Sequence, residues 1–219
     1  MRPAAPRYSG ASKVGGRRVS RRLRHRSPRE QNSPAGDAPH PPAAQDVRGA
    51  QLLRTGVIGV GHLGRHHARV YSELPGCEFV GAYDIDSDRC AAVAEQHGGL
   101  AFAEVGELVS AVDAVSIAVP TTDHHEVAIA CIEAGVHVLI EKPIAVTVAE
   151  ATEIVERADS SGLVVQVGHI ERFNPAVRAA FDVLSSPMFI EAHRLATFVP
   201  RGTDVAVVLD LMIHDIDLI

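Results

Sequence analysis

Residues 55–64 read Thr-Gly-Val-Ile-Gly59-Val60-Gly61-His62-Leu63-Gly64. A short apolar run ends in a GxGxxG spacing, and the residues after it, from 63 to 73, carry a helical pattern. In a strand–turn–helix each glycine has a separate physical reason. The first allows the tight turn, the second lets backbone approach a pyrophosphate, and the third lets the helix pack close to the strand. The pyrophosphate would then meet the unpaired N–H groups at the helix start. Gly59, Gly61 and Gly64, with His62 and Leu63 between them, are therefore expected to hold a dinucleotide cofactor.

The pattern outward from this turn fits that reading. Further apolar, β-branched runs lie at Glu78–Tyr83, Ala114–Val119, Val136–Ile140 and Leu163–Val167, after the first at Thr55–Val60. Helical patterns separate them near 87–97, 104–110, 123–134 and 148–160. Thr147-Val-Ala-Glu150 has capping-box spacing, and Gly98-Gly99, Gly135 and Gly162 sit where helices should stop. Apolar strands alternating with helices predict an α/β fold: a doubly wound parallel sheet covered on both faces.

Asp84 falls at the end of the second run, 20 residues after Gly64. A carboxylate there can accept both adenosine ribose hydroxyls and repel a 2′-phosphate. Ile85, Asp86, Ser87 and Asp88 follow, with no cation among them, so NAD is expected in preference to NADP. Asp86 is the better helix N-cap. His66 and His67, on the helix after the glycine turn, read as surface residues.

Two later runs end in polar groups: Pro120-Thr121-Thr122-Asp123-His124 and Glu141-Lys142-Pro143. Open α/β sheets bind ligands at that edge. By chemistry alone Glu141-Lys142 is either a surface ion pair or a proton-transfer site.

Charge divides the chain. Residues 1–50 hold 11 Lys and Arg against 3 Asp and Glu (+8) and seven of the 13 prolines; residues 51–219 hold 10 against 24 (−14). The first part, with Arg17-Arg18 and Arg21-Arg22, cannot bury enough apolar surface to offset chain entropy and reads as a disordered tail. It is a nucleic-acid or membrane contact, a targeting peptide, or an extension without a role. The acidic body is not expected to bind nucleic acid. Three cysteines, Cys77, Cys90 and Cys131, have neither disulfide nor metal-ligand spacing. No metal site is expected, and no apolar run approaches the ~18 residues of a membrane span.

Gly59–Gly64, Asp84, Pro120-Thr121…His124 and Glu141-Lys142-Pro143 together resemble the glucose–fructose oxidoreductase / inositol dehydrogenase / MocA family. The resemblance implies a Rossmann domain over residues 51–168. It also implies that 169–219 begin a substrate and oligomerisation domain with a mostly antiparallel sheet, to which Met188–Thr197 would give a strand. It implies a cytoplasmic enzyme, homo-oligomeric when full length, with about a hundred residues beyond Ile219. Pro120, Thr121, His124 and Glu141 would contact the cofactor, Lys142 would be catalytic, and the Lys142–Pro143 bond would be cis. Asp210 and His214, four apart, match the family pattern Asp-x-x-x-His; His214 is an acid/base candidate and Asp210 binds or orients substrate. His169, Arg172, Arg194 and Arg201 would line the substrate crevice. The nucleotide-sugar branch implies oxidation at C3 of a UDP-N-acetylhexosamine of the lipid A precursor type. The other readings are an inositol or free-sugar dehydrogenase, and a non-catalytic NAD-binding fragment or regulatory subunit.

Overall fold

A computed structural model describes residues 51–184, 186–193 and 208–219, the side chains of Leu209 and Asp210 excepted. The fold opens with β1 (Leu53–Ile58), α1 (Gly64–Glu73), β2 (Cys77–Tyr83), α2 (Ser87–His97), β3 (Leu100–Ala101) and α3 (Val105–Ala111). It continues with β4 (Ala114–Ile117), α4 (His124–Glu133), β5 (His137–Ile140), α5 (Val148–Ser161) and β6 (Val165–Val167), then α6 (Pro175–Val183) and α7 (Ile213–Leu218). The six strands are parallel, in the order β3-β2-β1-β4-β5-β6. The order reverses beside β1, the kind of point at which open α/β sheets bind ligands beyond the carboxyl ends of their strands.

Alternation along β1 splits the core between the faces of the sheet. Val57 joins Val60, Ala68, Phe79, Ala82, Cys90 and Val93, whereas Ile58 joins Leu108, Val115, Ile117, Ile132, Ile140 and Ile154. Val57 and Ile58 are both essentially fully buried, as a central strand covered by helices on both faces requires. Local signals in the sequence set the helix ends. The Asp86 side chain accepts the Arg89 N–H at the start of α2. Thr147 and Glu150 form the reciprocal capping box of α5. Gly98 and Gly162 end α2 and α5 in the left-handed conformation.

Two expectations change. A two-residue strand, β3, pairs with Gly81 and Ala82 of β2; both its residues are exposed, so neither periodicity nor burial marks it in the sequence. The strand expected at Met188–Thr197 is not formed over residues 188–193, and 194–197 lie outside the described residues. Among the described residues there is no antiparallel pairing.

Candidate functional site

Backbone bonds level the carboxyl ends of the strands into one edge. Gly59 N–H donates to Tyr83 O (2.8 Å), Ala118 N–H to Ile58 O (2.9 Å), Glu141 N–H to Ile117 O (3.0 Å) and Gly168 N–H to Ile140 O (2.8 Å). The glycine turn, Asp84, the loop after β4, Glu141-Lys142 and Gly168-His169 thus follow from adjacent strands.

The three glycines of the turn are required in different ways. Gly59 has φ +85°, and a Cβ there would stand 2.9 Å from the Ala118 carbonyl. A Cβ on Gly64 would stand 1.8 Å from Gly59 O, so the helix could not start where it does. A Cβ on Gly61 would meet nothing within 4 Å, so the chain itself places no steric demand on this glycine. α1 begins beyond it with no side-chain cap and no acidic residue in its first turn, which suits a phosphate. Leu63 is exposed, and the His62 ring stands edge-on to the exposed His66, 5.9 Å between centroids.

Asp84 is buried at the tip of β2, where its carboxylate braces the turn. Oδ2 accepts Val60 N–H (2.7 Å), and Oδ1 accepts Asp86 N–H (2.9 Å) and Arg89 Nη2 (2.6 Å). Burial pushes the carboxyl upward, but the Arg89 bond and the two backbone donors outweigh it, so the group sits below its ordinary value. Arg89 was missed in the sequence because it lies beyond the four residues that follow Asp84. The first turn of α2 folds it back over the carboxylate, so Asp84 has a cation beside it after all.

At the middle of the edge, Pro120 is exposed and Thr121 is buried, opening a 3-10 turn through Asp123. His124 is 1% exposed, with Nδ1 2.9 Å from Pro143 O and Nε2 3.0 Å from Val119 O. Its ring ties the loop after β4 to the turn after β5. Both ring nitrogens of His124, expected at the cofactor, lie within hydrogen-bond distance of backbone carbonyls. The Lys142–Pro143 bond is cis.

Glu141 is buried, and its side chain is held from α1. His67 Nε2 lies 3.0 Å from Oε1, while His67 Nδ1 lies 3.0 Å from Ser116 Oγ, which the Tyr71 hydroxyl also reaches at 2.7 Å. Burial raises the Glu141 carboxyl, but His67 and the Lys142 N–H bring it below its ordinary value. His67, read from sequence as a surface residue, is therefore turned inward. Its position on the inner face of α1 becomes visible only once α1 is laid against β4 and β5.

The C-terminal candidates are placed in part. Arg172, expected in the substrate crevice, is paired with Asp217: its Nε and Nη2 each lie 2.8 Å from that carboxylate. Asp217, which that bond holds below its ordinary value, also lies 3.6 Å from His169 Nδ1. His214 is half-buried on α7, which packs on the turn Ile170–Phe173. The Asp210 side chain, Arg194 and Arg201 lie outside the described residues. Among the described residues no group of three or more His, Cys, Asp or Glu is arranged to hold a metal, and no helix is long and apolar enough to cross a membrane.

A parallel sheet of this order, with a glycine turn braced by an acidic β2 tip, defines a dinucleotide-binding Rossmann domain. Residues 53–169 match the model of the GFO_IDH_MocA oxidoreductase family, NAD-binding Rossmann fold. The chain belongs to that family. It is 45% identical over 167 residues to UDP-N-acetylglucosamine 3-dehydrogenase of Acidithiobacillus ferrooxidans, covering 76% of this chain and 53% of that protein. The solved structure of that enzyme, GnnA, superposes with a TM-score of 0.73 at 44% identity, over 77% of this chain and 55% of the other. Inositol 2-dehydrogenase of Rubrobacter xylanophilus is 33% identical over 178 residues, 77% of this chain and 51% of the relative. GenD2 from gentamicin A biosynthesis, solved in complex with NAD, has a TM-score of 0.59 at 26% identity, over 61% of this chain and 39% of its own. The chain spans about half the length of the curated relatives it matches.

Proposed function

We propose that this chain carries the cofactor-binding and catalytic part of an NAD-dependent sugar dehydrogenase that oxidises the C3 hydroxyl of a UDP-N-acetylhexosamine. The observation that carries the reading is the single edge on which Gly59–Gly64, Asp84, Glu141 and Lys142 follow from adjacent parallel strands. The 45% identity to a UDP-N-acetylglucosamine 3-dehydrogenase supports the substrate class.

The residues present fit NAD. The open space beside Gly61 supports a pyrophosphate there, and Asp84 at the tip of β2 is the acceptor for the adenosine ribose hydroxyls. NAD is preferred over NADP because that carboxylate, with Asp86 beside it, outweighs the one guanidinium of Arg89. When bound, NAD supplies the hydride acceptor. Lys142 Nζ takes the hydroxyl proton and, once protonated, stabilises the oxygen as charge develops on it; such a group is typically worth ~10²–10⁴-fold. Glu141 fixes the nicotinamide-side ribose. His214 acts beside the lysine as a second acid/base, and Asp210 orients the sugar.

A second reading, dehydrogenation of an inositol or free sugar, is favoured by one observation. Arg172 is already paired with Asp217, which leaves fewer cations for a diphosphate. The test incubates the protein with NAD and, in separate reactions, UDP-N-acetylglucosamine, UDP-glucose and myo-inositol, following NADH absorbance. NADH formation with the first alone supports the proposal. Formation with myo-inositol alone selects the second reading, and none with any substrate, despite NAD binding, rejects both.

A further inference from the structure

The geometry points to His67 as a positioning residue: from the inner face of α1 its imidazole sets the Glu141 carboxylate for a cofactor ribose, through a partly buried chain running Tyr71–Ser116–His67–Glu141. The inference rests on the reading above, in which Glu141 meets the nicotinamide half of NAD.

Hydrogen-bond chemistry orders the chain. A carboxylate only accepts, so His67 Nε2 carries the proton given to Glu141 Oε1 at 3.0 Å. In a neutral imidazole Nδ1 then accepts from Ser116 Oγ at 3.0 Å, and that oxygen accepts from the Tyr71 hydroxyl at 2.7 Å. One tautomer satisfies every donor. Ser116 is wholly buried and Glu141 is 8% exposed, while His67 and Tyr71 are partly buried.

Packing alone does not account for it. α1 already covers the sheet with Gly64 and Ala68. A buried carboxylate–imidazole pair is often no better for stability than apolar residues of the same size. The carboxylate also faces open space. Gly168 opposes it, where a Cβ would come 3.1 Å from Oε1, and a cavity of about 220 Å³ lined by His67, Glu141, Gly168, His169 and Phe173 opens beside it. Among the described residues its Oε2 accepts the 3.3 Å bond from Lys142 N–H, and a carboxylate oxygen can accept a ligand hydroxyl as well. His67 therefore takes one oxygen and leaves the other presented.

Two isosteric variants separate positioning from packing. The His67→Gln amide reaches the Nε2 position and keeps the Glu141 bond. The His67→Asn amide reaches only the Nδ1 position and keeps the Ser116 bond. NADH and ADP affinities of the full 219-residue chain are measured by titration calorimetry, with thermal unfolding alongside. ADP lacks the nicotinamide riboside. The expected result is that H67N weakens NADH by about 10–100-fold, the range for losing a hydrogen bond to a charged group, and leaves ADP unchanged. H67Q should stay within about threefold of the unsubstituted protein for both ligands, a margin well under the ~1.4 kcal/mol of a tenfold change. Equal NADH affinity in all three proteins, or equal losses for NADH and ADP, overturns the inference. So does ¹⁵N NMR of the unsubstituted protein with the His67 proton on Nδ1, a readout that stands even if a variant fails to fold. Failure of the unsubstituted protein to bind NADH overturns the cofactor reading and this inference together. Binding with no difference between the variants removes His67's role alone.

Discussion

Gly61 and Gly64 are three residues apart in one turn, and the structure assigns them opposite failures. In Gly64→Ala the new Cβ would fall 1.8 Å from Gly59 O and 2.8 Å from its carbonyl carbon. Both are backbone atoms, so no rotamer change relieves the overlap. Overpacking typically costs about 1–3 kcal/mol, and a clash with backbone belongs at or above the top of that range. For a chain of this size each kcal/mol lowers Tm by roughly 2–4 °C, so a fall of about 6–12 °C or more is expected. In Gly61→Ala the Cβ meets nothing within 4 Å, and stability should stay within about 0.5 kcal/mol. The methyl fills the space assigned to a pyrophosphate, so NADH affinity should fall at least ~10-fold, or about 1.4 kcal/mol. Thermal melts and NADH titrations of both variants check the pair. A Gly61→Ala protein that binds NADH normally would refute the placement of the pyrophosphate, and an unshifted melt for Gly64→Ala would refute the geometry of the turn.

Asp84 gives a pH prediction. Its carboxyl lies below the ordinary value in the folded chain, so the unfolded chain binds the proton more readily. Its stabilisation is therefore complete above about pH 5 and is lost as pH falls through the ordinary carboxylate value of about 4 into the depressed range. Asp84→Asn should cost on the order of 1.5–3 kcal/mol at neutral pH and flatten the acid limb of denaturant-measured stability; an unchanged limb counts against the bracing role. Ile154, fully buried between α5 and the sheet, should cost about 2–5 kcal/mol as Ile154→Ala, lowering the urea midpoint without changing the slope. A change in slope instead would mean that the unfolded state, rather than the core, had been altered.

Elements with local signals were legible in the sequence. The glycine turn, the capping box at Thr147 and the apolar strands each rest on residues close together in the chain, and the parallel sheet follows from their alternation. What was hidden depends on contacts across the fold. His67 looks like any polar helix residue until α1 is packed on β4 and β5, where Ser116 and Glu141 wait for it. Arg89 hides because only the turn of α2 returns it to Asp84. The His124 ring lies against two backbone carbonyls, one of them on Pro143, 19 positions along the chain. β3 is too short for a period, and Leu100 is 64% exposed. The family resemblance implies a strand from Met188, yet strand formation needs a partner edge, and residues 188–193 pair with none among the described strands.

The account turns on the Lys142 side-chain nitrogen after β5, and the turnover of Lys142→Ala, measured together with its NADH dissociation constant, tests it most directly. The predicted result is a loss of about 10²–10⁴-fold in NADH formation from UDP-N-acetylglucosamine at unchanged NADH affinity. Near-normal turnover in that variant would contradict the account.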